Sequence, residues 1–116
     1  GFLKMKKIEA IVRPYTVEII KNALNSIGIG GMTVTNVEGF GNQGGHTEVY
    51  RDSEMCVSFV PKSKIEIVAK DEHIEAIIRI ILENAHSGQI GDGKIFILPV
   101  LDAVKIRTGE RGDKAL

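Results

Sequence analysis

Apolar and polar positions follow two periods along the chain, and the two periods recur in the same order twice. Four segments rich in Ile, Val and Thr are predicted to be strands: residues 6–13, 32–40, 63–70 and 95–100. Two segments repeat apolar residues at helical spacing, with Val17, Ile20, Leu24 and Ile27 in the first and Ile74, Ile77, Ile78, Ile81 and Ala85 in the second. The first helix is predicted to begin after Thr16 and to stop at Gly28.

The order strand–helix–strand, given twice, predicts a single ferredoxin-like α+β sandwich. Four strands form one sheet, and both helices cover one of its faces. The opposite face also receives Ile and Val side chains, and leaving them in water would be unfavourable. We therefore expect that face to be buried against another subunit.

A long polar segment, residues 39–62, separates the two copies of the unit. It contains Gly39, Gly41, Gly44 and Gly45, followed by a charged run ending at Glu54. Loops longer than about 12–15 residues are uncommon in a compact domain unless they are functional or disordered. The pattern alone leaves both alternatives open.

Composition narrows the function classes. The 116 residues suit one domain, and 15 basic residues balance 15 acidic ones, so the net charge gives no nucleic-acid footprint. The single cysteine, Cys56, excludes an internal disulfide framework and favours a reducing compartment. No apolar run approaches the length of a membrane span, and no signal peptide is visible. Residues 1–4 are interpreted as an N-terminal extension or a remnant of cloning.

The segment GQIGDGK, residues 88–94, has the letters of the beginning of a Walker A motif. It leaves a predicted helix and enters a strand, whereas a P-loop runs from strand to helix, and Ile95 stands where Ser or Thr would bind Mg²⁺. A P-loop NTPase is therefore excluded. The glycines would still let backbone N–H groups approach an anion, with Lys94 adding charge. An ordinary glycine turn fits the spacing equally well.

The basic tail after residue 100 offers a second candidate. Residues 103–108 are predicted to continue as extended chain, which would place Lys105 and Arg107 on one face of a strand. Arg107 could bind phosphate oxygens with two parallel hydrogen bonds. The alternative is that these residues only form a solvated edge of the sheet. The phosphate-binding interpretation would be strengthened if strand pairing brought the tail near Lys94.

Other chemistries find little support in the sequence. His46, His73 and His86 lack metal-ligand spacing, and Cys56 lacks a catalytic context. An RNA-recognition sheet would need aromatic residues on its central strands. An acylphosphatase-like enzyme would need an arginine in a phosphate-binding loop after the first strand, and Arg13 followed by Pro14 is a poor candidate for it.

Taken together, the motifs MKKIEAIVRP, GMTVTNVEGFG, QGGHTEVYR, PKSKIEIV, SGQIGDGKIFI and IRTGERG resemble the P-II nitrogen regulatory proteins, from Met5 to the C-terminus. The resemblance implies a cytoplasmic, ferredoxin-like homotrimer that is a sensor and not an enzyme. Such proteins bind ATP or ADP in clefts between subunits, and 2-oxoglutarate together with Mg²⁺-ATP. Their long T-loop, here residues 41–57, docks on ammonium transporters or on nitrogen-metabolism enzymes such as glutamine synthetase or its regulators. Membrane contact would occur only through a transporter.

The resemblance also assigns residues within one P-II domain, residues 5–116. Nucleotide would be bound by the B-loop (residues 86–94), by a neighbour's C-terminal loop (residues 105–116) and by the sheet, through Ile11, Thr33, Gly39, Val68, Gly91, Asp92, Gly93, Lys94, Lys105 and Arg107. The 2-oxoglutarate site would comprise Gly41, Gln43, Gly45 and Lys62, with Gln43 also a ligand of Mg²⁺. Partner contacts would be made by Tyr50, Arg51 and Met55.

Several positions depart from the family pattern or bear on rival functions. Met55 stands where many relatives carry a uridylylated tyrosine, so no uridylylation is expected there, and Ser53 matches a position phosphorylated in some relatives. Gln89 stands where a basic residue is common in the family, and Lys105 stands where arginine is common. The lost charge and the lost two-bond geometry would weaken nucleotide binding modestly. One rival is a slow ATPase, for which no general base stands out. The other is a P-II relative specialised for metal or stress and lacking 2-oxoglutarate sensing, against which Gln43, Lys62 and Lys94 argue.

Overall fold

The computed structural model describes residues 4–40 and 59–116, and its sheet has the predicted topology. The elements are β1 (Met5–Val12), α1 (Val17–Ser26), β2 (Thr33–Gly39), β3 (Val60–Lys70), α2 (Asp71–Ala85) and β4 (Lys94–Val100), with short 3₁₀ turns at Pro14–Thr16 and Gly112–Ala115. The strand order is β2-β3-β1-β4. Neighbouring strands are antiparallel throughout the sheet. The ferredoxin-like α+β fold is therefore confirmed.

The core lies between the sheet and the two helices. Ile8 pairs across the sheet with Ile67 on β3 and with Ile97 on β4, so alternate residues of these strands face the helices. Burial of apolar surface in this layer stabilises the fold. The fully buried side chains with the largest volumes are Ile8, Ile20, Leu24, Ile65, Ile67, Ile77, Ile81 and Val12.

Local signals set the helix boundaries largely as predicted. Pro14 opens a 3₁₀ turn that leads into α1, and Thr16 occupies the N-cap position. The Thr16 hydroxyl donates to the Arg13 carbonyl at 2.8 Å and does not cap an N–H group. Gly28 follows α1 with a φ of 88°, a left-handed conformation that suits glycine and ends a helix.

The second face of the sheet is more polar than the Ile and Val content suggested. Ile11, Val68, Phe96 and Leu98 share it with charged residues, according to the register of the strands. The Lys7 ammonium contacts Glu66 at 2.6 Å and Glu9 at 3.1 Å. The bond to Glu66 raises the pKa of Lys7 and lowers the pKa of Glu66. The face thus combines apolar side chains with an ion-paired centre.

The prediction of extended chain over residues 103–108 is wrong. Val104 forms an isolated bridge with Arg111, and residues 106–108 form a turn between them. The turn closes through bonds from Gly109 N–H to the Lys105 carbonyl at 2.7 Å and from Lys105 N–H to the Glu110 carbonyl at 2.8 Å. Gly109, with a φ of 77°, permits the reversal, so Lys105 and Arg107 do not share one face of a strand.

The Asp102 carboxylate closes this C-terminal hairpin (residues 102–112). It accepts hydrogen bonds from Arg111 Nε at 2.8 Å, from Ala103 N–H at 2.8 Å and from Gly112 N–H at 3.2 Å. Arg111 Nη2 contacts the same oxygen as Nε, Oδ2, at 2.6 Å, while Oδ1 accepts the two backbone bonds. These bonds hold the pKa of Asp102 below its usual range, and the bond from Arg111 is the largest cause. None of the helices in the described ranges is long and apolar enough to cross a membrane.

Candidate functional site

A cleft of about 580 Å³ lies at the end of the sheet where the loop between α2 and β4 meets the strands. The antiparallel register places the ends of β1 and β2 beside the starts of β3 and β4. Seven residues that the sequence assigned to ligand binding line the cleft: Ile11, Gly39, Lys62, Gly91, Asp92, Gly93 and Lys94. Phe40, Gln89, Ile90 and Phe96 complete the lining.

Four other candidates do not line this cleft. Thr33 and Val68 lie further along the sheet, opposite Glu66 and Lys7 respectively. Lys105 and Arg107 belong to the C-terminal hairpin. The remaining candidates lie outside the described residues: Gly41, Gln43, Gly45, Tyr50, Arg51, Ser53 and Met55.

Glycines of the B-loop allow it to lie directly on β1. Gly91 and Gly93 have φ values of 106° and 100°, which side chains rarely permit. A Cβ atom at Gly93 would lie 1.7 Å from the Ile11 carbonyl oxygen, so only glycine fits there. The close packing of loop and strand therefore requires glycine at this position, whether or not an anion binds.

Arg13 is the residue that sequence reasoning missed. It follows β1, and its guanidinium forms an ion pair with the Asp92 carboxylate. Nη1 also bonds Ser87 Oγ at 3.1 Å, and Nη2 donates to the Ile90 carbonyl at 3.0 Å. The available signal was topological: in this fold the end of β1 lies beside the start of β4, and therefore beside the loop that precedes it.

Asp92 uses its carboxylate within the loop. It accepts hydrogen bonds from Ser87 N–H at 2.8 Å, from Gly88 N–H at 2.9 Å and from Ser87 Oγ at 2.5 Å. Together with Arg13, and with the Ser87 hydroxyl as the largest cause, these donors hold the pKa of Asp92 far below its usual range. The carboxylate thus keeps the turn closed.

Lys62 approaches the same loop from β3. Its ammonium donates to the Gly91 carbonyl at 2.5 Å. Burial lowers the pKa of Lys62, and the positive charge of Arg13 lowers it further, although Asp92 opposes the shift. Two cations therefore lie side by side, and only one of them forms an ion pair with Asp92.

The two cations also determine where the loop's N–H groups point. Arg13 bonds the Ile90 carbonyl and Lys62 bonds the Gly91 carbonyl. In a trans peptide the N–H points opposite to the C=O, so the N–H groups of Gly91 and Asp92 point away from both cations. Among residues 4–40 and 59–116, neither N–H group has a hydrogen-bond acceptor. Successive free N–H groups of this kind form an anion-binding concavity.

Comparison with known proteins identifies the family of the chain. The family model described as nitrogen regulatory protein P-II matches residues 5–110. The chain belongs to the nitrogen regulatory protein P-II family. Among P-II proteins, that of Azospirillum brasilense is 54% identical over 112 residues, which cover 97% of this chain and 100% of the relative. Nitrogen regulatory protein P-II 1 of Escherichia coli K12 is 50% identical over the same shares of both chains.

A solved P-II structure has the same fold. The crystal structure of Arabidopsis thaliana PII bound to citrate superposes with a TM-score of 0.80 at 47% identity. The match covers 97% of this chain and 90% of the Arabidopsis chain. The family resemblance drawn from the motifs is therefore confirmed along almost the whole chain.

We expect Gly93→Ala to destabilise the protein by about 2 kcal/mol or more, because the new Cβ would collide with the Ile11 carbonyl in a backbone conformation that alanine disfavours. Chemical denaturation at fixed protein concentration measures the change. The matched control is Gly30→Ala, where a Cβ atom meets nothing within 4 Å. Equal effects of the two substitutions would contradict the close approach of the loop to β1.

We expect the stabilising effect of Asp92 to depend on pH. Folding lowers its pKa, so its contribution is complete above the ordinary value of 3.8 and is lost as the pH falls below that value. The difference in unfolding free energy between the native chain and Asp92→Asn should be constant from about pH 7 to 5 and shrink between about pH 4 and 2. Denaturant titration at each pH measures it.

The control for that series is Glu75→Gln, which removes an exposed carboxylate from α2 and should change stability by less than about 0.5 kcal/mol at pH 7. A gap between the native chain and Asp92→Asn that is absent at pH 7, or that persists unchanged to pH 2, would show that the carboxylate does not hold the loop in its ionised form.

Proposed function

We propose that the chain is a P-II signalling protein that senses ATP or ADP and 2-oxoglutarate, and that regulates nitrogen assimilation through T-loop contacts with target proteins. The observation that carries the proposal is the cleft lined together by residues 91–93 of the B-loop, by Lys62 from β3 and by Lys94 from β4. The cleft is also lined by Gly39 and Phe40, which directly precede the segment assigned to the T-loop.

Nucleotide phosphates suit the B-loop side of this cleft. The N–H groups of Gly91 and Asp92 offer two donors, and Lys94 adds an exposed cation at the start of β4. Repulsion of phosphate by Asp92 is reduced because Arg13 neutralises that carboxylate. The base would pack on the sheet near Ile11 and Gly39, with Thr33 and Val68 completing the adenine pocket.

A ketoacid suits the Lys62 side. Burial and Arg13 disfavour the Lys62 charge, so a carboxylate placed beside that ammonium would be bound favourably. Gly41, Gln43 and Gly45 would complete the 2-oxoglutarate site. The Arabidopsis relative, described as bound to citrate, shows that a member of the family takes a carboxylate ligand.

Magnesium would be coordinated mainly by the bound nucleotide and ketoacid, and less by protein side chains. The described residues contain no cluster of three His, Cys, Asp or Glu side chains that could bind a metal, and Asp92 is engaged within the loop. Phosphate oxygens, the ketoacid and Gln43 provide the hard oxygen ligands that Mg²⁺ prefers. A cation that bridges two ligands couples their affinities.

A homotrimer would complete the site. Lys105 and Arg107 lie on the C-terminal hairpin and do not line the cleft of their own chain, so we propose that they reach the phosphates of a neighbouring subunit. The same region exposes Leu101 to 91% and Ile106 to 99%, and large apolar side chains that are this exposed are typical of a contact surface.

Target proteins would be recognised by the tip of the T-loop, through Tyr50, Arg51 and Met55. We propose a cytoplasmic protein whose partners are an ammonium transporter or a nitrogen-metabolism enzyme, with no nucleic-acid partner. No uridylylation is proposed at Met55, because a thioether cannot accept a nucleotidyl group, and Ser53 is a candidate for modification. ATP hydrolysis would be incidental, since Asp92 is the sole carboxylate among the described residues lining the cleft and is already engaged.

Calorimetry tests the proposed ligands. We expect ATP to bind, and 2-oxoglutarate to bind only when Mg²⁺ and ATP are present. Lys94→Met should weaken ATP binding by about tenfold to a hundredfold, because a charge-assisted contact is lost. Gln43→Ala should abolish ketoacid binding while largely preserving ATP binding.

The matched control is Lys21→Met, which removes an exposed lysine from α1 that is paired with Glu18 and lies outside the cleft. ATP affinity should not change in that variant. Ketoacid binding in ADP alone would contradict the coupling through Mg²⁺-ATP, and absence of ATP binding by the native chain would contradict the proposed function itself.

Sedimentation tests the assembly. We expect a species of three times the 12.7 kDa chain at micromolar concentration. Ile106→Asp should weaken this association, because it places a charge on the fully exposed tip of the hairpin that would be buried between subunits. Ile19→Asp makes the same change on the exposed side of α1 and should leave the mass unchanged. A monomer at micromolar concentration would overturn the homotrimer.

A further inference from the structure

In the function proposed above, Arg13 acts only through the charges of Asp92 and Lys62, although among the described residues outside the B-loop its side chain makes the most bonds to that loop. Its side chain is 21% exposed, and that of its partner Asp92 is 22% exposed. Its guanidinium contacts the loop at both ends, through Ser87 and Asp92, and in the middle, through the Ile90 carbonyl. A side chain that directly follows a sheet strand thus bonds three separate residues of the turn.

Only arginine has the shape to make these contacts together. The two terminal nitrogens are directed to different acceptors, Nη1 to Ser87 Oγ and Asp92, and Nη2 to the Ile90 carbonyl. The loop leaves room for the guanidinium because residue 91 is glycine: a Cβ atom there would lie 3.1 Å from Nη2. Lysine would keep the charge but could not make both sets of bonds with fixed geometry.

The bond to the Ile90 carbonyl fixes the plane of the peptide that joins Ile90 to Gly91. With that carbonyl turned toward Arg13, the Gly91 N–H points in the opposite direction, and within the described part of the chain it has no acceptor. An unpaired donor held in one orientation by a neighbouring cation is suited to an anionic ligand. Among the described residues, the bond from Arg13 is the only hydrogen bond that the Ile90 carbonyl accepts.

We propose that Arg13 is a positioning residue of the anion-binding loop: it closes the turn through Asp92 and orients the Ile90–Gly91 peptide so that its N–H faces the ligand. The identity of that ligand as a nucleotide phosphate rests on the proposed function, whereas the closing of the turn does not. Because Arg13 does not need to touch the ligand, its effect is preorganisation, which raises affinity by reducing the ordering required on binding.

The test compares Arg13→Met and Arg13→Lys with the native chain, and uses Arg79→Met as a matched control on the exposed side of α2. Two measurements are made on each variant. The first is amide hydrogen exchange of Ser87 and Gly88 without ligand, since both N–H groups bond Asp92. The second is ATP affinity by calorimetry, together with the change in the Gly91 amide NMR shift when ATP is added.

In Arg13→Met we expect exchange at Ser87 and Gly88 to accelerate at least tenfold, and ATP affinity to fall at least tenfold, with the thermal midpoint measured in parallel. In Arg13→Lys the ion pair with Asp92 should restore slow exchange, but the Gly91 amide should not recover its native response to ATP, because the bond to Ile90 is missing. A purely structural role would let lysine restore both. Arg79→Met should match the native chain in every measurement.

Three results overturn the proposal. Native exchange rates in Arg13→Met would show that the turn closes without Arg13. Native ATP affinity in that variant, or full recovery of the Gly91 response in Arg13→Lys, would show that peptide orientation does not depend on the guanidinium. If the native chain fails to bind ATP, the proposed function fails and with it the orientation of the Gly91 N–H toward a nucleotide, while the exchange data still decide whether Arg13 closes the turn. If Arg13→Met does not fold, Arg13→Lys supplies the comparison.

Discussion

The antiparallel pairing of β1 with β4 is the constraint on which the candidate site depends. Because Ile11 pairs with Lys94, the residue before β4 lies against the β1 backbone, and Gly93 fits there only because it lacks a side chain. The same register brings Arg13, which follows β1, within reach of the loop. The topology of the sheet therefore positions the B-loop, an irregular segment whose backbone N–H groups form the candidate anion site.

In the B-loop the charged side chains bond to one another or to backbone carbonyls, and backbone N–H groups are what the loop offers to an anion. Arg13 and Asp92 neutralise each other, and Lys62 is directed to a carbonyl, whereas the N–H groups of Gly91 and Asp92 have no acceptor among the described residues. A residue chosen from the motif as a ligand can thus act by shaping the loop. Asp92 is the clearest case, since its carboxylate accepts from Ser87 and Gly88 of the same turn.

Much of the fold could be predicted from the sequence because it depends on local periodicity: the β-branched strands and the buried faces of α1 and α2 are as expected, except that Ile27 follows the end of α1 and is exposed. The C-terminal segment could not, because the alternation of Lys105 and Arg107 resembles a strand while Gly109 and the distant pair Asp102 and Arg111 impose a hairpin. Arg13 was overlooked for a related reason. Its partners lie more than seventy residues away, and a pairing of that kind is specified by topology and not by spacing.

The hairpin closed by Asp102 and Arg111 has a consequence for association. Its backbone is ordered by bonds within the same chain, so residues 102–112 do not lose most of their conformational freedom at the moment of contact with another molecule. An arm that is rigid beforehand can present Ile106 and Arg107 in a fixed arrangement, and association then has a smaller entropic barrier than the folding of a disordered tail would impose.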